Sequence, residues 1–571
     1  MTDLRSDRWF DGDDEVAMLH RVAMTMKPED RGRPVIGIAT TASDFNPCHG
    51  DVPRLAAAVA DEVVAAGGVP AMFPVMSLGE DLMKPSAMLY RNLQSMELEE
   101  TVRSYPVDGL VVLAGCDKNV PAALMAMASS NIPSLVALVG MRRPGVLGER
   151  RLGGGTDVWR ELQKRRTGQT SNAEWADFET ALREVGPGVC NVMGTAVTMG
   201  ILTETLGMAL PGSATMEAGG DEILEAARAS GRRIVEMVTA DERPAERMTG
   251  PAFANAFIVL AALAGSTNAV IHLSAIAGRL GIEFPIDEMD DLLSRVPLLA
   301  DVEPSGRGLA QDLHEAGGSL ALFHSLGSLL DVGCRTAAGT TWAEATHGHA
   351  PRSSVIRTLS DPLLPAPTMA VIRGSLAPGG AVIKVAAASE HLLRHRGPAV
   401  VFEDYHDMRA RLDDPELDLS PDSVLILREC GPVGAPGMPE WGMAPIPQKL
   451  ADAGVTDMLR VSDGRMSGTS FGTVILHVTP ESGIGGPLSL VQDGDQISFD
   501  LAERRLDLDV DEEELAARRD RWTPRPSPHT RGWPALYRRT VLDATRGCDL
   551  DFLAAERDGV PVFVEPVIGR S

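Results

Sequence analysis

The sequence predicts an α/β protein in two parts: an N-terminal α/β domain built on a parallel sheet and a C-terminal domain rich in β structure. The first third alternates short apolar runs with helical patterns, and after residue 364 the pattern changes to short strands between Pro/Gly turns. The 571 residues also exceed what one hydrophobic core usually supports. We expect domains at 1–365 and 366–571.

The parallel sheet is predicted from four apolar runs separated by helical patterns. The runs are "PVIGIAT", "VPAMFPV", "DGLVVLAG" and "IPSLVALVG", at residues 34–40, 69–75, 108–115 and 132–140. Helices are predicted between them at 51–68, 86–106 and 121–131. Because strands and helices alternate, the strands should pair in parallel and carry the helices on their faces.

The rest of the chain divides into three regions of different composition and pattern. Residues 141–175 are rich in Gly, Arg and Thr and predict a loop or lid region, whereas helical patterns dominate 190–330. From about residue 364 to about residue 511 we expect mainly strands, including "DSVLILREC" and "GTVILHVTPES". The segment "DQISFDLAERRLDLDV" alternates apolar and polar residues, which is typical of a β-hairpin.

Composition and charge exclude several classes of partner. The formal charge of −26 would repel a phosphate backbone, so we expect no nucleic-acid partner. The longest apolar stretch, 251–265, falls short of the roughly 20 residues that a membrane span needs, so we expect no membrane partner. The acidic start "MTDLRSDRWFDGDDE" is unlike a secretory signal, and we expect a cytoplasmic protein.

Three of the six cysteines share one setting. Cys48, Cys116 and Cys190 each lie where a predicted strand ends or a predicted helix begins, which in a parallel sheet is the same edge. Helix N-termini stabilise thiolates, and three thiolates could hold an iron–sulfur cluster with one iron open to substrate. The alternative is that all three are small buried hydrophobic residues, the interpretation we give to the other three cysteines.

Carboxylates and a small-residue segment are the other candidates. Glu80, Asp117 and Glu440 lie in predicted loops, where carboxylate oxygens suit Mg²⁺, although a lone acidic loop residue is usually just solvated. The segment "VSDGRMSGTSFGT" contains Ser467 and Thr469 among glycines, which would let the backbone approach a ligand closely. A β-turn connection explains the same segment equally well.

Two other segments lead to no site. The run "RLGGGTD" lacks the spacing and the lysine of a phosphate-binding loop. The twelve histidines include no H-E-x-x-H, so a zinc hydrolase is poorly supported.

Several longer motifs resemble one enzyme family. They are "NPCHGD", "GCDKNVPA", "GVCNVMGTAVTM", "AGSTNAVIHLSAIAGRLGI", "GPVGAPGMPEW", "SDGRMSGTSFGTVILHVTPES" and "GGPLSLVQDGDQISFDL". Together they resemble the dihydroxy-acid dehydratase/6-phosphogluconate dehydratase family, in order from about residue 32 to 555. The segments "LRSDRWFDG" and "PSAMLYRNLQSMELEE" look most like its sugar-acid branch, the pentonate and hexonate dehydratases.

The resemblance implies two metal sites. It implies an iron–sulfur cluster on the three cysteines named above, commonly 2Fe–2S in this branch, with 4Fe–4S as the alternative. It also implies Mg²⁺ bound by the three carboxylates Glu80, Asp117 and Glu440. Lys118 would be carboxylated, so that its carbamate becomes a further oxygen ligand and Lys118 joins both the metal set and the catalytic set. The C-terminal domain would be barrel-like.

The resemblance also implies an activity. The protein would be a hydro-lyase that converts an aldonic acid to its 2-keto-3-deoxy acid, with Ser467 as the base and Thr469 orienting it or the substrate. A homodimer or homotetramer is implied as well. Two alternatives stay open: the dihydroxy-acid dehydratase of branched-chain amino-acid synthesis, and a non-catalytic iron–sulfur redox sensor.

Overall fold

The computed structural model describes residues 4–10, 26–441 and 444–555. The two domains predicted at 1–365 and 366–571 therefore extend into residues that lie outside the described ranges at both ends. The predicted mixture of α and β structure, with a parallel sheet first and a barrel-like sheet second, is confirmed.

The N-terminal sheet has four parallel strands in the order β2-β1-β3-β4. The strands are β1 Val35–Thr40, β2 Val69–Pro74, β3 Gly109–Ala114 and β4 Ser134–Leu138. Every residue of β3 and β4 is buried, as continuous apolar runs predict for strands covered on both faces. All four predicted strands are confirmed, and a helix follows each of the first three.

Helices cover this sheet and continue beyond it. Those up to residue 205 are α1 Val52–Ala65, α2 Met88–Ser104, α3 Asn119–Ser130, α4 Thr156–Arg166, α5 Asn172–Arg183 and α6 Thr195–Thr205. The next are α7 Asp221–Ala240, α8 Gly250–Ala262, α9 Asn268–Gly278, α10 Ile286–Ser294, α11 Ala310–Glu315, α12 Gly318–Leu326 and α13 Trp342–Ala345. The predicted helical region 190–330 is confirmed. Within the described residues, no helix is both long and apolar enough to cross a bilayer.

The prediction of a loop or lid over 141–175 is wrong in part. A short antiparallel hairpin of β5 (Gly145–Leu147) and β6 (Arg150–Leu152) comes first, followed by α4 and the start of α5. The last turn of α4 is basic, and Asp157 lies in its first turn, which suits the helix dipole at both ends. The polar composition of α4 had hidden this helix.

The C-terminal sheet is mixed and has eight strands, in the order β16-β15-β9-β10-β12-β14-β8-β7. They are β7 Ala370–Ile372, β8 Gly380–Ile383, β9 Arg394–Phe402, β10 Val424–Leu427, β12 Arg460–Ser462, β14 Val474–Thr479, β15 Gln496–Asp500 and β16 Arg505–Leu508. A bridge between Arg373 and Arg505 joins the two outer strands, so the sheet is nearly closed into a barrel. The predicted hairpin is the antiparallel pair β15–β16.

A small two-stranded sheet lies beside this barrel. Its strands, β11 Glu440–Trp441 and β13 Arg465–Met466, run parallel. The helices of this part are α14 Tyr405–Arg411, α15 Gln448–Asp452, α16 Glu512–Arg521 and α17 Gly532–Thr540. The small sheet is important for the site because it pairs Glu440 with Arg465, which lies two residues before Ser467.

Candidate active site

The three candidate cysteines lie in loops beside the carboxyl edge of the parallel sheet. Cys48 is in a 3₁₀ turn, Pro47–His49, between β1 and α1, and Cys116 follows β3 directly. Cys190 was predicted to open a helix, but α6 begins only at Thr195, so Cys190 lies in the loop before it. The thiol therefore lacks the helix N-terminus that the sequence suggested for it.

The structure brings these three thiols together. Cys48 and Cys116 lie close enough for their thiols to interact, and Cys190 is close enough to Cys116 for their charges to interact. The contact with Cys48 and burial raise the pKa of Cys116 well above its usual value, and burial raises that of Cys190 to about 12. Arg142 supplies a positive charge here, because its Nη2 lies 3.7 Å from Cys48 Sγ.

Neutral side chains hold the cysteine turns in place. Asn46 Oδ1 accepts the backbone N–H of Cys48 at 3.2 Å, which caps the short turn. His49 Nε2 accepts the N–H of Gly115 at 3.2 Å and so ties this turn to the end of β3. Burial lowers the pKa of His49 to about 4, which keeps the ring neutral and able to accept that bond.

The thiol cluster fits an iron–sulfur group by its donor chemistry. Three free cysteines lie near one another, with Cys48 and Cys116 buried and Cys190 half-buried, and the raised pKa values of Cys116 and Cys190 mean that these thiols need a positive partner before they can ligate. The remaining cysteines lie elsewhere: Cys334 against the N-terminal core, Cys430 in the C-terminal core, and Cys548 with its Sγ 3.7 Å from Met438 Sδ. The set available to such a group is thus the three predicted residues.

The carboxylates of Glu80, Asp117 and Glu440 form a second cluster. One oxygen of each lies within 4.8 Å of the others. The fully buried Lys118 reaches the same place, with Nζ 3.4 Å from Glu80 and 3.6 Å from Asp117 and Glu440. One turn after β3 therefore directs Cys116 toward the thiols and Asp117 and Lys118 toward the carboxylates.

Residues from both halves of the molecule orient Glu440. Arg465 Nη1 donates to Glu440 Oε2 at 2.8 Å, and Asn268 Nδ2 donates to the same oxygen at 2.9 Å. Arg465 Nη2 also donates to Ser86 Oγ at 3.2 Å, and Ser86 donates to Glu80 Oε1 at 3.0 Å. A chain of hydrogen bonds thus links the two glutamates across the interface between the halves.

Burial and neighbouring charges shift the pKa values in this cluster. Burial raises the pKa of Glu440 to about 7 and also raises that of Asp117. Burial works against the ionisation of Glu80, but Lys118 and Arg465 outweigh it and hold the Glu80 pKa below its usual value. Burial likewise opposes the charge on Lys118, yet Glu80 and Asp117 raise its pKa overall.

The carboxylate cluster fits a hard divalent cation. Oxygen ligands around Mg²⁺ lie about 3 to 4 Å apart, and these three carboxylate oxygens lie within 4.8 Å of one another. Lys118 Nζ and Glu80 Oε2 are buried and form an ion pair at 3.4 Å, but neither atom makes a hydrogen bond among the described residues. Groups of this kind are costly to bury unless a ligand satisfies them, so both atoms indicate a bound ion or a modification at this point.

Ser467 lies in a tight turn that follows β13. Its Oγ is 2.8 Å from Thr469 Oγ1, and the Thr469 backbone N–H donates to Ser467 Oγ at 3.3 Å. Glycines allow this turn to pack closely: a Cβ at Gly155 would lie 2.7 Å from Thr469 Oγ1, and one at Gly468 would lie 2.6 Å from Ser266 Oγ. The glycine run of "RLGGGTD" thus makes room for Thr469.

A buried lysine reaches the same turn from the other side. Lys384 follows β8, and its Nζ donates to the carbonyl oxygen of Gly468 at 3.2 Å. Ser467 and Lys384 line one small cavity of about 30 Å³, enough for a single water molecule. Burial lowers the pKa of Lys384 to about 7.

Sequence reasoning missed several residues of this site. Arg142 and Lys384 lie outside the quoted family motifs, and Asn268 lies inside one but was not singled out, because the importance of all three comes from contacts with residues far away in the chain. Arg465 stood inside the "VSDGRMSGTSFGT" segment, but only its small residues had been weighed. The signal available for Arg465 was a lone arginine between two runs of small residues.

Two family models together match most of the chain. The model of the dihydroxy-acid/6-phosphogluconate dehydratase N-terminal region matches residues 33–345, and the model of the C-terminal region matches 354–548. This chain belongs to the dihydroxy-acid/6-phosphogluconate dehydratase family. The resemblance seen in the sequence motifs is confirmed.

Curated relatives span nearly the whole chain. A 6-deoxy-6-sulfo-D-gluconate dehydratase of Pseudomonas putida is 42% identical, covering 97% of each chain. An L-arabinonate dehydratase of Rhizobium leguminosarum bv. trifolii is 42% identical over 96% of each chain. A dihydroxy-acid dehydratase of Ignicoccus hospitalis is 36% identical over 92% of this chain and 95% of its own. Members of this family are hydro-lyases, and this protein is a dehydratase.

Proposed function

We propose that this enzyme removes water from an aldonic acid and releases the 2-keto-3-deoxy acid. An iron–sulfur cluster would be held by Cys48, Cys116 and Cys190. Mg²⁺ would be held by Glu80, Asp117 and Glu440, together with a carboxylated Lys118. The observation that carries the proposal is the convergence of these residues, from segments far apart in the chain, beside the Ser467 turn.

The proposed substrate class rests on the relatives. Two that are named for sugar acids are 42% identical to this chain, whereas the dihydroxy-acid dehydratase described above is 36% identical. A sugar acid carries hydroxyl groups along its whole length, and Arg142 adds a positive charge beside the thiols. The branched-chain substrate has an apolar side chain instead. An apolar group forms no hydrogen bond or ion pair with a guanidinium, so this neighbour favours the sugar acid.

In the proposed reaction, the metals and the side chains have separate roles. When bound, the cluster iron and Mg²⁺ supply Lewis acidity, which eases the loss of the C3 hydroxyl and offsets charge on the carboxylate. The deprotonated Ser467 oxygen accepts the proton from C2, and the Thr469 N–H and hydroxyl hold that oxygen as it does so. Arg465 and Asn268 hold the Glu440 carboxylate in place at the proposed Mg²⁺ site.

The atoms balance over one turnover. The hydrogen on C2 and the hydroxyl on C3 leave together as one water molecule, and the C2–C3 double bond forms from the electrons of the broken C–H bond. The resulting enol takes up a proton at C3 and releases the proton of its C2 hydroxyl, which gives the 2-keto acid. Ser467 returns its proton to the departing hydroxyl, so the base is regenerated.

An anaerobic substrate screen tests this proposal. Purified enzyme is offered L-arabinonate, D-xylonate, D-gluconate and 2,3-dihydroxyisovalerate, and 2-keto acid is measured after each incubation. We expect turnover of at least one sugar acid and little of 2,3-dihydroxyisovalerate. Preference for the latter would favour the branched-chain activity, and a coloured protein inert toward all four acids would favour the redox sensor.

The cluster and the oligomer have separate tests. Replacing Cys116 by Ser should abolish the visible absorption of the purified protein, whereas Cys334→Ser should leave it unchanged; an unchanged spectrum in the first variant would remove Cys116 from the ligand set. We also propose a homodimer or homotetramer, which light scattering coupled to gel filtration would distinguish from a monomer.

A further inference from the structure

Helix α4 extends an indole onto the Ser467 turn. Trp159 Nε1 donates to Thr469 Oγ1 at 2.9 Å, and Thr156 Oγ1 donates to the Thr469 carbonyl at 3.0 Å. Both donors come from the N-terminal half, whereas Ser467 and Thr469 belong to the C-terminal half. The turn that carries the proposed base is therefore held by a helix from the other half of the molecule.

The start of α4 is itself fixed. Asp157 Oδ2 accepts the backbone N–H of Gly153 at 2.7 Å, which closes the glycine run over the helix N-terminus. Arg160 Nη1 donates to Glu303 Oε1 at 2.5 Å. Because these bonds hold the helix on both sides of Trp159, the indole has a defined position and does not depend on the turn to order it.

The hydrogen bond from the indole N–H affects how the Thr469 hydroxyl can hydrogen-bond to Ser467. Thr469 Oγ1 accepts from Trp159 and lies 2.8 Å from Ser467 Oγ, so its own hydrogen is available for the serine oxygen. A hydroxyl that accepts one hydrogen bond becomes a stronger donor of the next. Together with the Thr469 N–H, this gives Ser467 Oγ two donors, the arrangement that favours a negatively charged oxygen.

We propose that Trp159 is a positioning residue for Ser467 and acts through the Thr469 hydroxyl. The inference rests on the proposed role of Ser467 as the base. Trp159 donates to Thr469 and not to Ser467, so its effect must pass through that hydroxyl.

Several charged groups surround the turn and also influence Ser467. Lys384 lies on the β8 side, and Glu440 and Arg465 lie in β11 and β13. Asp157 and Arg160 lie in α4 on either side of Trp159. Replacing the indole by a benzene ring alters none of these charges, so a change in the pH profile would report on the hydrogen-bond chain.

The test compares two tryptophan variants. Trp159→Phe removes the N–H but keeps an aromatic ring, and we expect kcat to fall about tenfold at pH 7 with KM unchanged within twofold. The acid limb of the kcat profile should move up by about one pH unit, so that the loss shrinks at higher pH. Trp175→Phe is the matched control, because Trp175 Nε1 donates to Glu179 on the surface of α5, and it should behave as wild type.

A double-mutant cycle separates this role from simple packing. Thr469→Val removes the hydroxyl at nearly constant shape, and if Trp159 acts through it, Trp159→Phe should cost nothing further in that background. Additive losses, or a loss equal at every pH, would overturn the inference while leaving the dehydratase proposal intact. A wild-type enzyme inert toward every acid would overturn the proposed function, and the inference with it.

Discussion

Lys118 lies at the boundary between the two proposed metal sites. Its neighbours Cys116 and Asp117 face different clusters, and its own Nζ lies among three carboxylates. With all three carboxylates ionised, their charges exceed those of Lys118 and Arg465 by one, and burial already raises the pKa of Glu440 to about 7 and that of Asp117 above its usual value. Such an excess is costly without a cation, which is the electrostatic reason for expecting an ion here.

Ser467→Ala should remove turnover and leave the metal sites in place. The variant loses the oxygen that we propose as base, and we expect kcat to fall at least 10³-fold, at the upper end of general-base effects. Iron content, visible absorption and magnesium content should match those of wild type. The control is Ser470→Ala in the same turn, whose hydroxyl donates to the Ser467 carbonyl at 2.6 Å, and it should lose less than tenfold. Near-full activity in Ser467→Ala would remove Ser467 from the mechanism.

Lys384→Met should stabilise the protein at low pH. Burial lowers the pKa of Lys384 from 10.5 to about 7, so the unfolded chain binds more protons than the folded one between those values. The unfolding free energy that the protein loses by burying Lys384 therefore has its full value below pH 7 and falls to zero toward pH 10.5. At pH 6 we expect the variant to gain roughly 3 to 5 kcal/mol in the pH-dependent part of its unfolding free energy.

Urea titrations of Lys384→Met and wild type would measure this difference. From pH 7 to pH 9 the two free energies should converge by about 1.4 kcal/mol per pH unit. Lys449→Met, which replaces an exposed lysine, should show a difference from wild type that does not vary with pH. Parallel curves for Lys384→Met would mean that the amine stays charged in the folded protein.

At the scale of elements, the turn after β3 depends on a glycine. A Cβ at Gly115 would lie 2.3 Å from Val139 Cγ2 and 2.9 Å from Val189 Cγ1. Val139 follows β4 and Val189 precedes Cys190, so Gly115 is the point at which three segments touch, two of which carry a cluster cysteine. The Gly115 N–H donates to His49, which adds the segment of Cys48 as the fourth.

Gly115→Ala should therefore disturb the cluster more than the fold. Overpacking at a buried position typically costs 1–3 kcal/mol, and here the displaced segments carry the thiols. We expect lower unfolding free energy and substoichiometric iron in the purified protein. Gly250→Ala is the control, since a Cβ there would meet nothing within 4 Å, and it should keep its iron. Full iron content in Gly115→Ala would show that the turn tolerates the displacement.

The elements also show what sequence patterns can and cannot predict. β3 and β4 were predictable because strands covered on both faces are continuous apolar runs. Helix α4 was missed because it is polar and follows a glycine run, and its place is fixed by distant partners such as Glu303. The metal-site candidates were found through family motifs, whereas Asn268 and Trp159 gain their roles only from contacts across the fold.

At the scale of the whole molecule, the proposed magnesium site joins the two halves. Glu80 and Asp117 belong to the parallel-sheet half, and Glu440 belongs to the small sheet beside the barrel. Hydrogen bonds from Arg465 already cross this boundary. An ion bound by all three carboxylates would bind the folded chain and not the unfolded one, so it should stabilise the protein as a unit.

Mg²⁺ should therefore raise the thermal midpoint of the purified enzyme. At 100 times its dissociation constant an ion contributes about 2.7 kcal/mol, which for a chain of this length is a rise of about 2 °C. Glu440→Gln removes a charged ligand from the C-terminal half and should abolish the rise, whereas Glu512→Gln, an exposed change in α16, should keep it. An equal rise in all three proteins would place the ion elsewhere, because a site built from both halves cannot bind normally after losing the one ligand that the barrel side supplies.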